Sequence, residues 1–540
     1  MTRLIMAQYD FIVVGAGSAG CAVAGRLSES GKFSVLLLEA GPSDRNIWIR
    51  MPIGYGRTFY DPSVNWMYQT EAIPGFDGRT SYWPRGRVVG GSSSINAMVY
   101  SRGQASDFDA WEARGNPGWG WKDVLACYKK MEDHDLGAGP WHGSGGPLHV
   151  STIDHAAHPL TRLFLKAAAE AGVPFNPDLN GETIEGAGLY QITTRGGFRE
   201  SSARAYLRRR RNLRIMTGAQ AVRIAFEGRR ATGVRVAAGG GEVTFDAGRE
   251  IILSGGSIGS PQLLQLSGLG PAEVLARNGI GVLQDVPAAG RNLQDHLCYD
   301  HVYRSRLPSL NDALRPWSGK VRAAMKYLLS RKGPLSLSVN QAGGYYRSSP
   351  DAERADIQLY FSPLSYEHLP PNTRALMSPD TFSGFTTSVS PCKPKSAGYL
   401  EIRSPNWRDP PAIHPNYLSD GEDLRTLVVG ARFLRRLAAT PSLASAIAEE
   451  VRPGTNCHSD EGLAADIRAR AYSVFHPVGT CRMGPDPRAS VVDSNLRVHG
   501  IAGLRVVDAS IFPVITSGNT NAPAIMVGER GAELILMGHR

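Results

Sequence analysis

Two sets of residues in this chain have types and spacings that could do chemistry. Gly15, Gly17 and Gly20 stand at GxGxxG spacing in DFIVVGAGSAG, and Glu39 follows nineteen residues after the last of them. In that register the first glycine permits a tight turn, the second leaves no side chain between backbone and ligand, and the third lets a helix lie close to a strand. A pyrophosphate can rest on the free amides where the helix begins, and the carboxylate can accept hydrogen bonds from an adenosine ribose. On this motif alone FAD and NAD both remain open. Far along the chain, His476 precedes Pro477 in SVFHPVGTCRMG. The proline biases the histidine backbone toward extended geometry, and imidazole is the side chain that exchanges a proton near neutral pH. A lone histidine is more often structural, so its company decides what it does.

The elements that must position these residues are legible around them. Phe11 to Val14 reads as a buried parallel strand, Ala19 to Ala24 as a helix of small residues ended by Gly31, and Val35 to Leu38 as a second strand. Tyr82 to Gly103, YWPRGRVVGGSSSINAMVYSRG, is a glycine- and serine-rich loop whose apolar flanks imply burial, so its amides need partners such as phosphate or flavin edges. Asp107 to His134 has a helical pattern and reads as scaffold. Leu160 to Ala171 predicts a helix in a first excursion from the nucleotide domain, and Asn212 to Val236 predicts an inserted antiparallel hairpin around Glu227 and Gly228. Glu250 to Ser254 is a further buried strand, followed by a helix for which Ser260 and Pro261 look like N-cap and first residue and Gly268 the stop. Between Tyr299 and Val451 short alternating segments predict an antiparallel sheet carrying helices, the natural place to read a substrate. Near the end, Leu504 to Asp508 is a strand, and Asn521 and Pro523 look like N-cap and first-turn residues of a helix aimed at Ser517 to Thr520.

Composition excludes several classes. The 540 residues, 42% apolar, suit two or more domains with large cores. The net charge of +10 is partly local, with Arg204, Arg208, Arg209, Arg210, Arg211 and Arg214 in one span. Without aromatic stacking motifs that span reads as a solvated basic face and not a nucleic-acid site. The six cysteines are scattered, which suits a reducing compartment over a disulfide framework or zinc site. The first apolar run leads into the glycine turn and not into a cleavage site, and no apolar stretch of spanning length occurs, so neither a secretory leader nor an integral membrane span is expected. The expected location is the cytoplasm, with attachment to a membrane surface as the alternative.

Four blocks in order, DFIVVGAGSAG with Glu39 to Gly41, PRGRVVGGSSSINAMVYSRG, GSIGSPQLLQLSGLGP with GRNLQDH, and HPVGTCRMG with DASIFP and SGNTNAP, resemble the glucose-methanol-choline (GMC) oxidoreductases over essentially the whole chain. The resemblance implies an α/β fold: a Rossmann-like FAD-binding domain with a parallel sheet (1–154, 189–298 and 456–540) and an antiparallel-sheet substrate domain with helices (155–188 and 299–455). It implies FAD held by Gly15, Gly17, Gly20 and Glu39, an isoalloxazine lined by the loop carrying Gly90, Gly91, Ser92 and Asn96, and Asp508 and Ala509 beside the ribityl-pyrophosphate. Val222 would offer backbone contacts near adenine. Ser18, Ala19, Ala40, Arg85, Val89, Ala97, Val99, Ser254 and Thr520 complete the cofactor-binding set, to which Asn519 also contributes. His476 falls on the catalytic histidine and Asn519 on a second position that is His or Asn among members. The flavin-linking histidine of some members would lie near Ile95, so the FAD is expected to be non-covalent, and no metal is required.

The reaction implied is oxidation of a small-molecule alcohol, with His476 taking the hydroxyl proton, Asn519 orienting the oxygen and hydride passing to flavin N5. Quinone, a redox protein or oxygen would then take the electrons. A segment from Ser92 to Val99 resembling choline-dehydrogenase-like members points to a dehydrogenase over an oxidase. A hydroxynitrile lyase on the same fold, a nicotinamide enzyme and a non-catalytic flavin binder are the alternatives, and the fold alone does not choose among them.

Overall fold

Residues 5–366, 378–454 and 457–539 are described by a computed structural model of the chain. The boundary expected between 455 and 456 touches residues outside that set. The first sheet is built on Ile5–Val14, which pairs in parallel with Val35–Leu38 on one side and with Gly241–Leu253 on the other, so that Ile12 lies between Leu36 and Ile251. Phe11, Ile12 and Val13 are fully buried, which is why this stretch tolerates no polar residue. Leu213–Met216 adds a parallel strand beyond Val35–Leu38, and Leu504–Val506 pairs in parallel with Gly241–Leu253. Arg230–Ala238 and Gln220–Glu227 extend the same sheet antiparallel.

The expected hairpin around Glu227 and Gly228 is thus present, but it continues the main sheet and is not a separate layer. Leu213 and Ile215 lie outside it, in the parallel edge strand. Their alternation reads identically in either setting, because a side-chain period of two carries no information about the direction of the neighbour.

Two helix starts also differ from expectation for physical reasons. The helix after Leu253 spans Gly256–Leu266 and contains Pro261 in its interior. Proline cannot donate to the carbonyl four residues back, and that carbonyl, of Ser257, accepts instead from the Thr480 hydroxyl at 2.7 Å. Ser260 is not the cap; its hydroxyl accepts from the Gly255 amide and donates to Asp508. At the other end of the chain the closing helix is Asn521–Met537 with Thr520 at its N-cap. Asn521 is the first helical residue, and its side-chain oxygen accepts from the Ser18 hydroxyl at 2.8 Å.

The closing helix packs against the nucleotide helix Ser18–Glu29. Small residues make the approach: a Cβ on Gly528 would stand 2.6 Å from the Ala19 carbonyl oxygen. Beside the crossing, Arg26 makes a two-pronged ion pair with the fully buried Glu529, at 2.8 and 2.9 Å, and Tyr206 donates to the same carboxylate.

The second sheet is wholly antiparallel, in the order Ile447–Arg452, Leu297–Ser305, Gly384–Pro391, Ile357–Ser362, Ala342–Tyr346, Gly186–Leu189, with Tyr472–Ser473 pairing the start of Leu297–Ser305. Helices Pro159–Glu170 and Gly421–Ala438 cover one face, where Phe164 stacks on Phe361 and Tyr346 on Phe433. Residues of the opposite register, Cys298 and Asp300, Tyr360 and Ser362, Thr386 and Ser388, turn to an internal chamber.

Arg26→Met would leave the Glu529 carboxylate buried beside only a neutral phenol, so the expected loss of stability is about 3–5 kcal/mol. Urea denaturation of the variant measures it, and adding Glu529→Gln should restore part of the loss. A midpoint unmoved by Arg26→Met would show that the pair holds nothing together.

Candidate active site

The nucleotide end of the site is made by backbone groups pressed close together. Gly15 has φ +102°, and a Cβ there would lie 2.4 Å from the Ser254 carbonyl oxygen. The loop from Tyr82 to Gly103 comes down on the same turn, since a Cβ on Gly91 would lie 2.6 Å from the Gly17 Cα. Gly17 is the N-cap of the nucleotide helix and carries no side chain to satisfy the amides behind it, so that helix start is shaped for an outside acceptor. Glu39 is 6% exposed and accepts from the amides of Ala16 (3.0 Å) and Gly41 (2.8 Å). Burial raises its pKa to about 7 against the pull of those two amides. A carboxylate has about four acceptor directions, which leaves capacity for hydroxyl donors.

Gly15, Gly17, Glu39 and Gly91 wall a cavity that also meets Ser18, Ala19, Ala40, Arg85, Ser92, Ser254, Asp508 and Ala509. A second chamber shares Ser18, Arg85, Ser92, Ala509 and Ala524 with the first and continues past Asn96, Ala97 and Val99 to His476, Asn519 and Thr520. An elongated dinucleotide fits this arrangement: a carboxylate for a ribose and bare helix amides for phosphates, then a wider room bounded by a histidine.

Gly20, Val89, Gly90 and Val222 line neither cavity. Gly20 is needed for packing, because its Cβ would stand 2.0 Å from the Gly15 carbonyl oxygen. Val89 and Gly90 tie their amides to Pro42 and Ala16, fixing the loop from behind. Val222 is buried in the core, and the preceding Ala219, Gln220 and Ala221 face the cavity instead.

His476 is 8% exposed, and its neighbours determine which nitrogen carries the proton. The Cys392 carbonyl can only accept, so His296 Nε2, 3.0 Å away, donates to it. Burial lowers the His296 pKa to about 4, so the ring is neutral and its Nδ1 is an acceptor. His476 Nδ1 lies 3.0 Å from that atom and must donate. The remaining nitrogen, His476 Nε2, is therefore an unprotonated acceptor, and Asn519 Nδ2 donates to it at 3.2 Å. Asn519 Oδ1 in turn accepts from Gln358 Nε2 at 3.3 Å; the same Nε2 donates to the Tyr190 hydroxyl, whose own proton goes to the Leu359 carbonyl, and this chain fixes the amide orientation. The structure thus brings His476 and Asn519 together.

Beneath them, the His476 amide donates to Asp295 at 2.7 Å, and Ser473 and Tyr417 donate to the same carboxyl group. Burial raises the Asp295 pKa to about 6 against those three donors. Phe475 has φ +67°, uncommon for a bulky side chain, and Arg85 donates to its carbonyl at 2.7 Å. Asp295, His296, Gln358 and Phe475 carry no role that the sequence alone discloses. GRNLQDH marks the first two as a feature, but only the folded chain shows what they face.

The chain matches the family model described as GMC oxidoreductase over residues 9–298 and 394–528. It belongs to the GMC oxidoreductase family. It is 43% identical to an alcohol dehydrogenase [acceptor] of Pseudomonas putida, over 98% of this chain and 96% of that one. It is 42% identical to the mitochondrial choline dehydrogenase of Mus musculus, over 98% and 89%. An FAD-dependent oxidoreductase from Chaetomium thermophilum superposes with a TM-score of 0.90 at 27% identity, over 99% of this chain and 100% of that one. This GMC oxidoreductase is an enzyme, with the mixed α/β fold that its motifs imply.

Burial, then His296 and Arg85, hold the His476 pKa well below the usual 6.5. A base with a lowered pKa stays unprotonated until the pH falls through that lowered value, so activity should persist below pH 6.5 and fall only at more acid pH. The pH dependence of turnover under kcat/KM conditions checks this. An acidic limb centred at or above 6.5 would contradict a His476 that is neutral and protonated on Nδ1 alone.

Proposed function

We propose that this enzyme oxidises the CH–OH group of a small-molecule alcohol to a carbonyl, using FAD held without a covalent bond. The observation that carries the reading is the unprotonated Nε2 of His476 beside the Asn519 amide, in the wall of the chamber that opens from the nucleotide cradle. A substrate hydroxyl placed there would give its proton to His476 Nε2 while its oxygen accepts from Asn519 Nδ2. Bound FAD would supply the hydride acceptor for the carbon that is oxidised. The Nδ1–H of His476 stays on His296 throughout, so the imidazolium formed is held by the Cys392 carbonyl through His296. Glu39 and the amides of Ser18 and Ala19 would hold the nucleotide, and the second sheet would select the alcohol. The aromatic walls Tyr55, Phe59, Tyr82 and Phe475 would exclude water from the reacting atoms.

Ile95, buried where a linking histidine would be required, supports non-covalent FAD. The name of the Pseudomonas putida relative supports an acceptor other than oxygen, against the name oxygen-dependent choline dehydrogenase that a Vibrio vulnificus relative at 41% identity carries. Acid precipitation should release all the flavin into the supernatant, and colour kept in the pellet would contradict the non-covalent reading. Reoxidation of the reduced enzyme should be faster with a quinone than with air-saturated buffer, measured by stopped flow.

His476→Ala should slow anaerobic flavin reduction by an alcohol by roughly 10²- to 10⁴-fold while FAD content is kept. Asn519→Ala should cost less and leave the acidic limb of the rate profile in place, since an amide positions the oxygen and takes no proton. A His476→Ala enzyme that binds FAD and is reduced at near the normal rate would end this assignment. Flavin that no alcohol bleaches would favour a lyase or a binding protein.

A further inference from the structure

The helix Trp317–Ser330 is turned the wrong way round for a helix of a soluble surface. Its inward face is small: Ala323 and Tyr327 are the buried residues, with the Tyr327 hydroxyl donating to the Gly197 carbonyl at 3.0 Å. Its large apolar residues point outward. Trp317 is 80% exposed, Met325 53%, Leu328 61% and Leu329 88%. With Val321 they recur at intervals of three and four residues, so they form one stripe along the outer side. Scattered exposed leucines are ordinary, but a continuous stripe with a tryptophan at its end is not.

The charges that the helix and its flanks carry have one sign, and the nearest carboxylate before it in sequence, Asp312, is engaged by Ser309 and Ser383. Arg315, Lys320, Arg322, Lys326 and Lys332 flank it, while Arg331 stacks inward on Phe198 and Tyr327, and no aspartate or glutamate occurs between Asp312 and Asp351. An apolar stripe with a cationic rim is complementary to a surface that is apolar within and anionic at its edge. A second copy of the chain is a poor occupant, because a two-fold interface presents the same patch from both sides and would bring two cationic rims together. The helix has 14 residues, about 21 Å in length, and no helix among the described residues is long and apolar enough to cross a membrane. The geometry therefore suits lying in an interface and not spanning it.

We propose that the Trp317–Ser330 helix docks this enzyme onto an anionic lipid bilayer, with its apolar stripe sunk to headgroup depth. The chain leaving the helix passes through the turn Pro334–Ser336 to Val339 and Asn340, which line the chamber that holds His476. The lipid-facing surface and the chamber wall are thus neighbours along the chain.

The test is co-sedimentation of the full-length holoenzyme with phosphatidylcholine vesicles, with and without phosphatidylglycerol. Binding is expected to the vesicles containing phosphatidylglycerol, and added salt should weaken it. The double variant Trp317→Ser, Leu329→Ser should bind on the order of tenfold or more weakly, and so should the triple variant Lys320→Glu, Arg322→Glu, Lys326→Glu. Both substitute exposed side chains, so turnover of a water-soluble alcohol with a water-soluble acceptor should be unchanged. Equal pelleting with both vesicle types, or undiminished binding of the variants, would overturn the proposal. So would the absence of binding together with a dimer in solution that Leu329→Ser dissociates, which would assign the stripe to a second copy.

Discussion

The hydrogen bond from His296 to the Cys392 carbonyl is the contact on which the chemistry of the site depends. A carbonyl oxygen has no proton to give, so this one bond sets the tautomer of His296, and His296 sets that of His476. Without it, His476 could turn its protonated nitrogen to the chamber and would have no lone pair to offer a substrate. Cys392 directly follows the strand Gly384–Pro391 of the second sheet. The protonation of a side chain beside the nucleotide cradle is thus dictated from the substrate side of the molecule.

Burial does the rest of the tuning. His296 and His476 are both shifted toward the neutral form because a charged imidazole is costly to desolvate. Asp295 is shifted the opposite way by the same cause, yet its oxygens are occupied by a serine, a tyrosine and the His476 amide. The arrangement holds His476 by its backbone from below and by its Nδ1 from the side, leaving Nε2, with Asn519 beside it, as the unprotonated atom. Asn519 is held as firmly through Gln358, so acceptor and donor meet the chamber with fixed orientations.

Much of this is legible in the sequence, and what is not has a common reason. The strand and helix around Gly15, Gly17 and Gly20 are local, and hydrophobic runs with glycine punctuation disclose them directly. The alternating segments Ile357 to Phe361 and Thr386 to Val389 fall within the strands Ile357–Ser362 and Gly384–Pro391, whereas Tyr399 to Ile402 alternates in the same way and belongs to a separate two-stranded sheet. Residues whose role depends on partners far along the chain are not legible. His296 and His476 are 180 positions apart, and nothing in the local pattern of either points to the other. The resemblance points to the backbone of Val222, and the cavity is lined by the residues just before it, Ala219, Gln220 and Ala221. Pro261 resembles a helix start because proline usually is one. A hydroxyl from Thr480 makes this interior proline tolerable.

The contact between Ser18 and Asn521, and that between Arg26 and Glu529, each join residues 503 positions apart. A ribosome adds roughly 5–20 residues per second, so the nucleotide helix waits on the order of half a minute to two minutes before its partner helix has been made. During that interval the small-residue face at Ala19 and Ala22 has nothing to pack against, and Arg26 has no carboxylate from the closing helix. Loops of this length also make the final docking a slow, non-local event in folding. The cradle is therefore assembled only after translation of nearly the whole chain, and nucleotide capture is a late step in the life of the protein, exposed until then to chaperones and proteases.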